Sequence, residues 1–218
     1  MNIVAILANG VGARFGAEIP KQFAKVCDKM IIEYVIDSVL NSNSTDKLVI
    51  ATDVKANSVY LEDICRAGNI DLIQGGDTRN KTLKNVLDYI HGNYSCKKLI
   101  VCDAVRPMVT SEHIDSYFEY LNDYSAVVTA QKITDSLGCY DFQKVDRERY
   151  YLMQSPEGFD FNLLYEHFDE CSKLTEVTQQ LPESAPIKLY FDFNNNFKLT
   201  YPEDLKYLEA FLTAKKHK

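Results

Sequence analysis

The sequence predicts an α/β fold, a doubly wound and mostly parallel sheet with an arm projecting from it. Three observations carry this expectation. As far as residue 130, short apolar runs alternate with segments of helical period, the pattern of parallel βαβ units. Residues 131–149 then break the pattern, with mixed charge and no helical spacing. Finally, the 218 residues contain no internal repeat, low-complexity tract or Ser/Gly linker. One domain over 1–218, long enough for a sizeable core, therefore accounts for the chain.

Taken in order, residues 3–7 (IVAIL) read as a buried strand, residues 30–40 (MIIEYVIDSVL) as a helix and residues 47–52 (KLVIAT) as a second strand. Residues 59–67 read as helix and 71–74 as a short strand. Residues 78–90 place Leu83, Val86, Leu87 and Ile90 on one helical face. Residues 98–102 (KLIVC) form a strand ending at Asp103, followed by a helix over 111–121 and a strand over 126–130. Residues 131–149 read as a projecting hairpin, and 159–168 return to helix. A strand and a polar patch (Asn194, Asn195, Asn196) lie within 188–200. Residues 201–212 close the chain as a helix, with Pro202 in its first turn, where proline is tolerated. Such sheets bind ligands beyond the carboxyl ends of their strands.

Composition excludes several classes of partner. A net charge of −7 argues against non-specific binding to nucleic acid or membrane surfaces. No segment approaches the roughly 20 apolar residues of a membrane span, and no basic leader opens the chain, so a cytoplasmic location is expected. The six cysteines (Cys27, Cys65, Cys96, Cys102, Cys139 and Cys171) include no C-x-x-C pair. Neither a zinc ribbon nor a thioredoxin-type site is encoded, and free thiols in a reducing compartment are expected.

The first stretch with chemistry is ILANGVGARFGAEIPKQF. Its glycines, Gly10, Gly12 and Gly16, run G-x-G-x-x-x-G, one residue longer than the dinucleotide fingerprint. Pro20 stands where that fingerprint wants helix, and no acidic residue follows at the required distance. A P-loop needs Gly-Lys-Ser/Thr, and here Pro-Lys-Gln stands instead. The loop still suits a polyphosphate. Glycines let backbone N–H groups approach an anion, and Arg14 and Lys21 add two cations. A surface turn carrying two solvated cations is the plainer reading.

Two further stretches follow. In QGGDTRNKTL a strand gives way to Gly75-Gly76 and then to a helix start. Its amides and the Thr82 hydroxyl could hold a base or ribose, or Asp77 or Thr78 could simply cap the helix. In IVCDAVRP, Asp103 stands at the carboxyl end of a buried strand, with Arg106 close by. This is either a metal or ribose site or a structural ion pair.

These stretches, with the late Asn196-Phe197-Lys198-Leu199-Thr200-Tyr201-Pro202-Glu203-Asp204-Leu205, stand in a telling order. The chain resembles the cytidylyltransferases that activate polyol phosphates with CTP, a group that includes methylerythritol-phosphate and ribitol-5-phosphate cytidylyltransferases. The resemblance covers essentially the whole chain. It implies a Rossmann-like fold of the nucleotide-diphospho-sugar transferase type, and a reaction of CTP with a polyol phosphate that yields a CDP-polyol and pyrophosphate. It further implies Mg²⁺ as the divalent cation and a homodimer joined through the arm at 131–149.

The resemblance also assigns roles. Arg14 and Lys21 fall on positions that bind the triphosphate, and Lys198 on a lysine near the α-phosphate; these are the implied catalytic residues. Ala8, Asn9, Gly10 and Gly12 match the loop facing the nucleotide. Gly76, Asp77 and Thr82 match positions that read cytosine and ribose, and Asp103 is the nucleotide-side residue nearest the metal. Arg106, Arg147, Ser155 and Thr175 fall on the acceptor side, with Arg147 supplied across the dimer. These roles suit the chemistry. Bringing a phosphate oxygen to the α-phosphorus of CTP is a matter of positioning and charge neutralisation, with no side-chain nucleophile required. Asn9 departs from the family's usual small residue, and Ser155 from its threonine. Thr175-Glu176-Val177 departs from Thr-Asp plus a second acid. Val105 and the RNKTLKNVLDYI stretch lean towards a ribitol-5-phosphate-like acceptor for wall or capsule polymers. Methylerythritol phosphate, as in isoprenoid synthesis, and glycerol or mannitol phosphate remain alternatives. A catalytically silent nucleotide-binding protein on the same fold is the alternative outside enzymes.

Overall fold

The computed structural model describes residues 1–10, 15, 19–141, 143–174 and 176–216. A seven-stranded sheet organises them. Its strands are β1 (Asn2–Leu7), β4 (Lys47–Thr52), β5 (Asp71–Gln74), β6 (Lys98–Asp103), β7 (Ala126–Lys132), β8 (Tyr151–Asp160) and β9 (Ile187–Tyr190), in the spatial order β5-β4-β1-β6-β8-β7-β9. A two-stranded ribbon, β2 (Lys25–Val26) with β3 (Lys29–Met30), stands apart. The helices are α1 (Ile31–Leu40), α2 (Val54–Gly68), α3 (Arg79–Asn93), α4 (Ser111–Tyr120), α5 (Phe161–His167) and α6 (Asp204–Lys216). β8 pairs antiparallel with both β6 and β7, and the other pairings in the large sheet are parallel.

The apolar runs become strands because both faces of the sheet are covered. Residues 3–6 of β1 have no solvent exposure. Alternate side chains serve opposite layers. Val4, Ile6 and Ile50 pack with Val35 and Ile36 of α1 and with Ile114 and Tyr117 of α4. Ile3, Ala5 and Val49 pack with Leu83, Val86, Leu87 and Ile90 of α3 and with Phe161 and Leu164 of α5. A third cluster joins Phe15, Val26, Ile31, Val105, Leu199 and Leu208. Side-chain caps set several helix starts: Asp53 accepts from the N–H of Ala56, Thr78 from Lys81, Thr110 from His113 and Asp160 from Leu163.

Most elements stand where the sequence put them; the β2–β3 ribbon is unexpected, and α2, β8 and α6 differ as follows. α2 starts at Val54, five residues ahead of the expected helix, because Asp53 caps it there. Residues 151–160, with no strand expected, form β8, so the helix anticipated from 159 starts at Phe161. Gln154, Pro156 and Glu157 disguise this strand. Its register with β7 shifts between Val128 and Thr129, passing over Ser155 and Pro156, and the Thr129 hydroxyl donates to the Pro156 carbonyl at 2.8 Å. α6 starts at Asp204, leaving Pro202 ahead of the helix, because the Asp204 carboxylate accepts from the N–H groups of Thr200 and Tyr201.

The arm has an antiparallel base, since β7 and β8 stay paired out to Lys132 and Tyr151. Between those residues the described chain adds a 3-10 turn at Arg147–Arg149 and no further strand. No helix among the described residues is long and apolar enough to cross a membrane.

Candidate active site

Parallel strands deliver their carboxyl ends to one edge. β1 and β6 run in register to Leu7 opposite Asp103, and β5 ends nearby at Gln74, paired with Thr52. The loops leaving β1, β5 and β6 carry the motifs.

The first loop is held by side chains. The Gln22 amide donates to the carbonyls of Ala8 (2.7 Å) and Gly10 (3.2 Å), and the Thr52 hydroxyl donates to Ala8 (3.1 Å). Gln22 is itself buried. The residue after Lys therefore braces the loop backbone, while Lys21 reaches across the site to donate to the Leu199 carbonyl at 3.0 Å. Arg14 and Gly12 lie outside the described residues, as does Thr175.

The second loop crosses the first. Asn9 Nδ2 donates to the Gly76 carbonyl at 2.7 Å, and its Cγ would lie 2.4 Å from any Cβ at Gly75. Only glycine admits this crossing. Thr82 holds Gly76 in place, accepting from its N–H and donating to its carbonyl, both at 3.1 Å. Thr82 is thus buried and already engaged, and Thr78, not Asp77, caps α3. Asp77 is exposed and lies 3.5 Å from Lys81.

Asp103 is the electrostatic centre. Lys198 lies 3.0 Å and Arg106 3.6 Å from its Oδ2, and Arg79 lies 3.8 Å from Oδ1. Burial would raise its pKa, but Arg79, Lys198 and Arg106 reverse that and hold the carboxyl at about 2. Ser155 sits beneath, accepting from the Asp103 N–H at 2.7 Å. Asn196 ties the late segment to β8 by donating to the Ser155 carbonyl at 2.8 Å, and its own carbonyl accepts from Arg106 at 2.8 Å. Lys198, Arg106, Ser155 and Asp103 are therefore brought together from 95 residues of sequence separation. Arg147 is not among them: it donates to the Thr134 carbonyl and pairs with Glu148, all within the arm.

Behind Asp103 lies a second acidic group that the sequence reading left out of the site. Glu157 on β8 has no solvent exposure. It pairs with Arg79 at 3.3 Å and accepts from the N–H and hydroxyl of Thr178 at 3.4 and 3.0 Å. Glu176 is raised to about 8 by burial first and then by the charge and hydrogen bond of Glu157. An acid standing between Pro156 and Gly158-Phe159 was the available signal for Glu157. Arg79 stood in the Gly-Gly-x-x-Arg motif, but nothing in the sequence indicated its partners.

The site suits a divalent cation held largely by substrate. Oδ2 of Asp103 is occupied by Lys198 and Arg106. Oδ1 accepts no hydrogen bond among the described residues, its cationic neighbour at 3.8 Å being too far to donate. No group of three or more His, Cys, Asp or Glu side chains among the described residues could enclose a metal. One carboxylate combined with substrate phosphates is a common way for Mg²⁺ to be held.

A doubly wound sheet with a glycine loop, a Gly-Gly turn and a cation-ringed carboxylate at its carboxyl edge defines a nucleotidyltransferase-like α/β protein. The family model for 2-C-methyl-D-erythritol 4-phosphate cytidylyltransferase matches residues 2–214. The chain belongs to that family and is a CTP-dependent cytidylyltransferase. It is 28% identical over 210 residues to the 2-C-methyl-D-erythritol 4-phosphate cytidylyltransferase of Thermotoga neapolitana, covering 94% of each chain. The 4-diphosphocytidyl-2C-methyl-D-erythritol synthase of Anaerococcus prevotii shares its fold, with a TM-score of 0.83 at 24% identity over 97% of this chain and 96% of that one. The bifunctional IspDF of Campylobacter jejuni superposes with a TM-score of 0.80 at 25% identity, over 94% of this chain and 54% of its own.

Proposed function

We propose that this cytidylyltransferase transfers the cytidylyl group of CTP to 2-C-methyl-D-erythritol 4-phosphate, with release of pyrophosphate. The observation that carries the reading is the convergence of Lys198, Arg106 and Arg79 on Asp103 at the sheet's carboxyl edge, beside the two glycine loops. Membership of the family over residues 2–214 supports the acceptor.

In this reading Ala8, Asn9, Gly10 and Gly12 line the nucleotide, with Gly76 and Thr82 beneath the base. Asp77 joins them by turning its exposed carboxylate or its backbone inward. Arg14 and Lys21 neutralise the triphosphate, and Lys198 lies at the α-phosphate. A phosphate oxygen of the acceptor attacks the α-phosphorus and pyrophosphate leaves. The cations offset charge that accumulates on the non-bridging oxygens, a stabilisation worth most where water is excluded. A Mg²⁺ held by Asp103 and the phosphates would supply further charge neutralisation.

The acceptor occupies the side of Arg106, Ser155 and Thr175. A cleft of about 910 Å³ opens beside Arg106, lined also by Lys198, Gln154 and Lys132 and walled by Phe193 and Tyr207. Arg147, whose partners among the described residues lie in the arm, contributes to the acceptor site of a second copy in a homodimer. The cytoplasm is the location in this reading, supported by six unpaired cysteines.

A ribitol-5-phosphate acceptor is the second reading, favoured by Val105 and by the RNKTLKNVLDYI stretch. In the fold Val105 is buried in the third core cluster against Phe15, Val26 and Leu199, so core packing is enough to explain it. The test is pyrophosphate release from CTP with methylerythritol, ribitol, glycerol and mannitol phosphates in parallel. The highest kcat/KM is expected with methylerythritol phosphate. A preference for ribitol 5-phosphate would move the acceptor to the second reading. CTP binding with no release from any acceptor would defeat both and favour a silent nucleotide-binding protein.

A further inference from the structure

We propose that Glu157 is a positioning residue: by engaging Arg79 it keeps Asp103 Oδ1 available to the divalent cation that accompanies CTP. The proposal rests on the cytidylyltransferase reading of the site and adds two residues, Glu157 and Arg79, to its machinery.

Arg79 is shared between two carboxylates. Its Nη2 lies 3.3 Å from Glu157 Oε1, within hydrogen-bond reach, whereas its Nε stops 3.8 Å from Asp103 Oδ1. The closer pair belongs to the more deeply buried carboxylate. Glu157 has no solvent exposure and lies on β8 between Val128 of β7 and Val101 of β6, the latter two residues before Asp103. Its other oxygen is pinned by both donors of Thr178. The far oxygen of Asp103 is already taken by Lys198 and Arg106.

A guanidinium released from Glu157 keeps two carboxyl neighbours, Asp103 and Glu176, and among the described residues only Asp103 lies within 4 Å of it. Arginine pairs with carboxylates through two parallel N–H donors, so it would close on Oδ1 and compete with any cation there. Glu157 thus does not touch the reacting atoms. It decides whether Arg79 stands beside Asp103 or on it.

The test measures Mn²⁺ binding by electron paramagnetic resonance in the presence of a non-transferable CTP analogue. Glu157→Gln keeps the shape and loses the charge, and it should weaken Mn²⁺ binding about tenfold, equivalent to about 1.4 kcal/mol. The further change Arg79→Gln on that background should restore most of the affinity, since the competitor has been removed. A merely structural role predicts the opposite, with the double variant at least as impaired as the single one. Unchanged affinity in Glu157→Gln, or no recovery in the double variant, would overturn the proposal. If Glu157→Gln does not fold, Thr178→Val takes its place. Loss of one anchor should weaken Mn²⁺ binding two- to threefold, and an unaltered value would again overturn the proposal. Absence of Mn²⁺ binding in the wild type would defeat this inference while pyrophosphate release from CTP stood. Absence of pyrophosphate release would defeat the acceptor reading while the Mn²⁺ comparison stood.

Discussion

At the residue scale, charge does most of the work. Lys21 bridges from the first loop to the Leu199 carbonyl, beside Lys198. Lys21→Ala is expected to lower kcat by about 10²–10³, the cost typical of losing one preorganised transition-state donor. Near-normal turnover in a folded variant would remove Lys21 from catalysis. Glu176 makes a prediction about pH. Its folded pKa is raised from the ordinary 4.5 to about 8, chiefly by burial. Above pH 4.5 the unfolded chain releases this proton and the folded chain retains it. Its contribution to stability is therefore lost as pH rises towards 8 and is level beyond that. Glu176→Gln should flatten the fall in Tm between pH 5 and 8, which thermal melts at stepped pH would detect. Asp103 behaves oppositely: its lowered pKa favours the folded state above about pH 4 and loses that effect as pH falls towards 2.

At the scale of elements, the crossing of two loops shapes the proposed nucleotide site. Asn9 lies across Gly75 and is bonded to Gly76, so neither loop can be altered alone. Gly75→Ala would drive a methyl group into Asn9. It is expected to cost on the order of 1 kcal/mol, or about 2–4 °C in Tm, and to raise KM for CTP. Asn9→Ala on the same background should recover most of the Tm. If the double variant melts no higher than the single one, the crossing is not the source of the strain. Much at this scale was legible in advance. Apolar period marked β1, β4, β6 and α3 because those elements bury one consistent face or two. β8 was not legible, because it runs through Gln154, Ser155, Pro156 and Glu157, residues that read as loop, although the last three of them are buried in the fold. Gln22 was visible in the Pro-Lys-Gln motif, yet its role as the brace of Ala8 and Gly10 needs the fold.

At the scale of the whole molecule, the arm raises the question of a second copy. Arg147 is occupied within the arm by Thr134 and Glu148, and Tyr140, Tyr150 and Leu152 stand exposed around it. If each active site borrows Arg147 from its neighbour, Lys21→Ala and Arg147→Ala chains complement each other. Each mixed dimer then has one intact site, so an equal mixture should recover about a quarter of wild-type turnover after subunit exchange. No recovery, or sedimentation as a monomer at high concentration, would confine the site to one chain. Arg147→Ala alone should raise KM for the acceptor more than KM for CTP.

The amino-acid sequence by itself determined the alternation of strands and helices, the edge at which ligands gather and the residue types able to hold a polyphosphate. These follow from period and from local backbone freedom, both properties of neighbouring residues. Only the tertiary structure decided which charges meet. Asp103, Arg79, Glu157 and Lys198 come from four separate segments, and their distances depend on the register of β1, β6 and β8. Coulombic energy depends on those distances and on burial, neither of which local sequence encodes. Tertiary structure likewise explained Asn9, which had been an unexplained departure in the glycine loop. It is the strut that joins that loop to Gly76, and Gly75 is glycine so that the strut can pass.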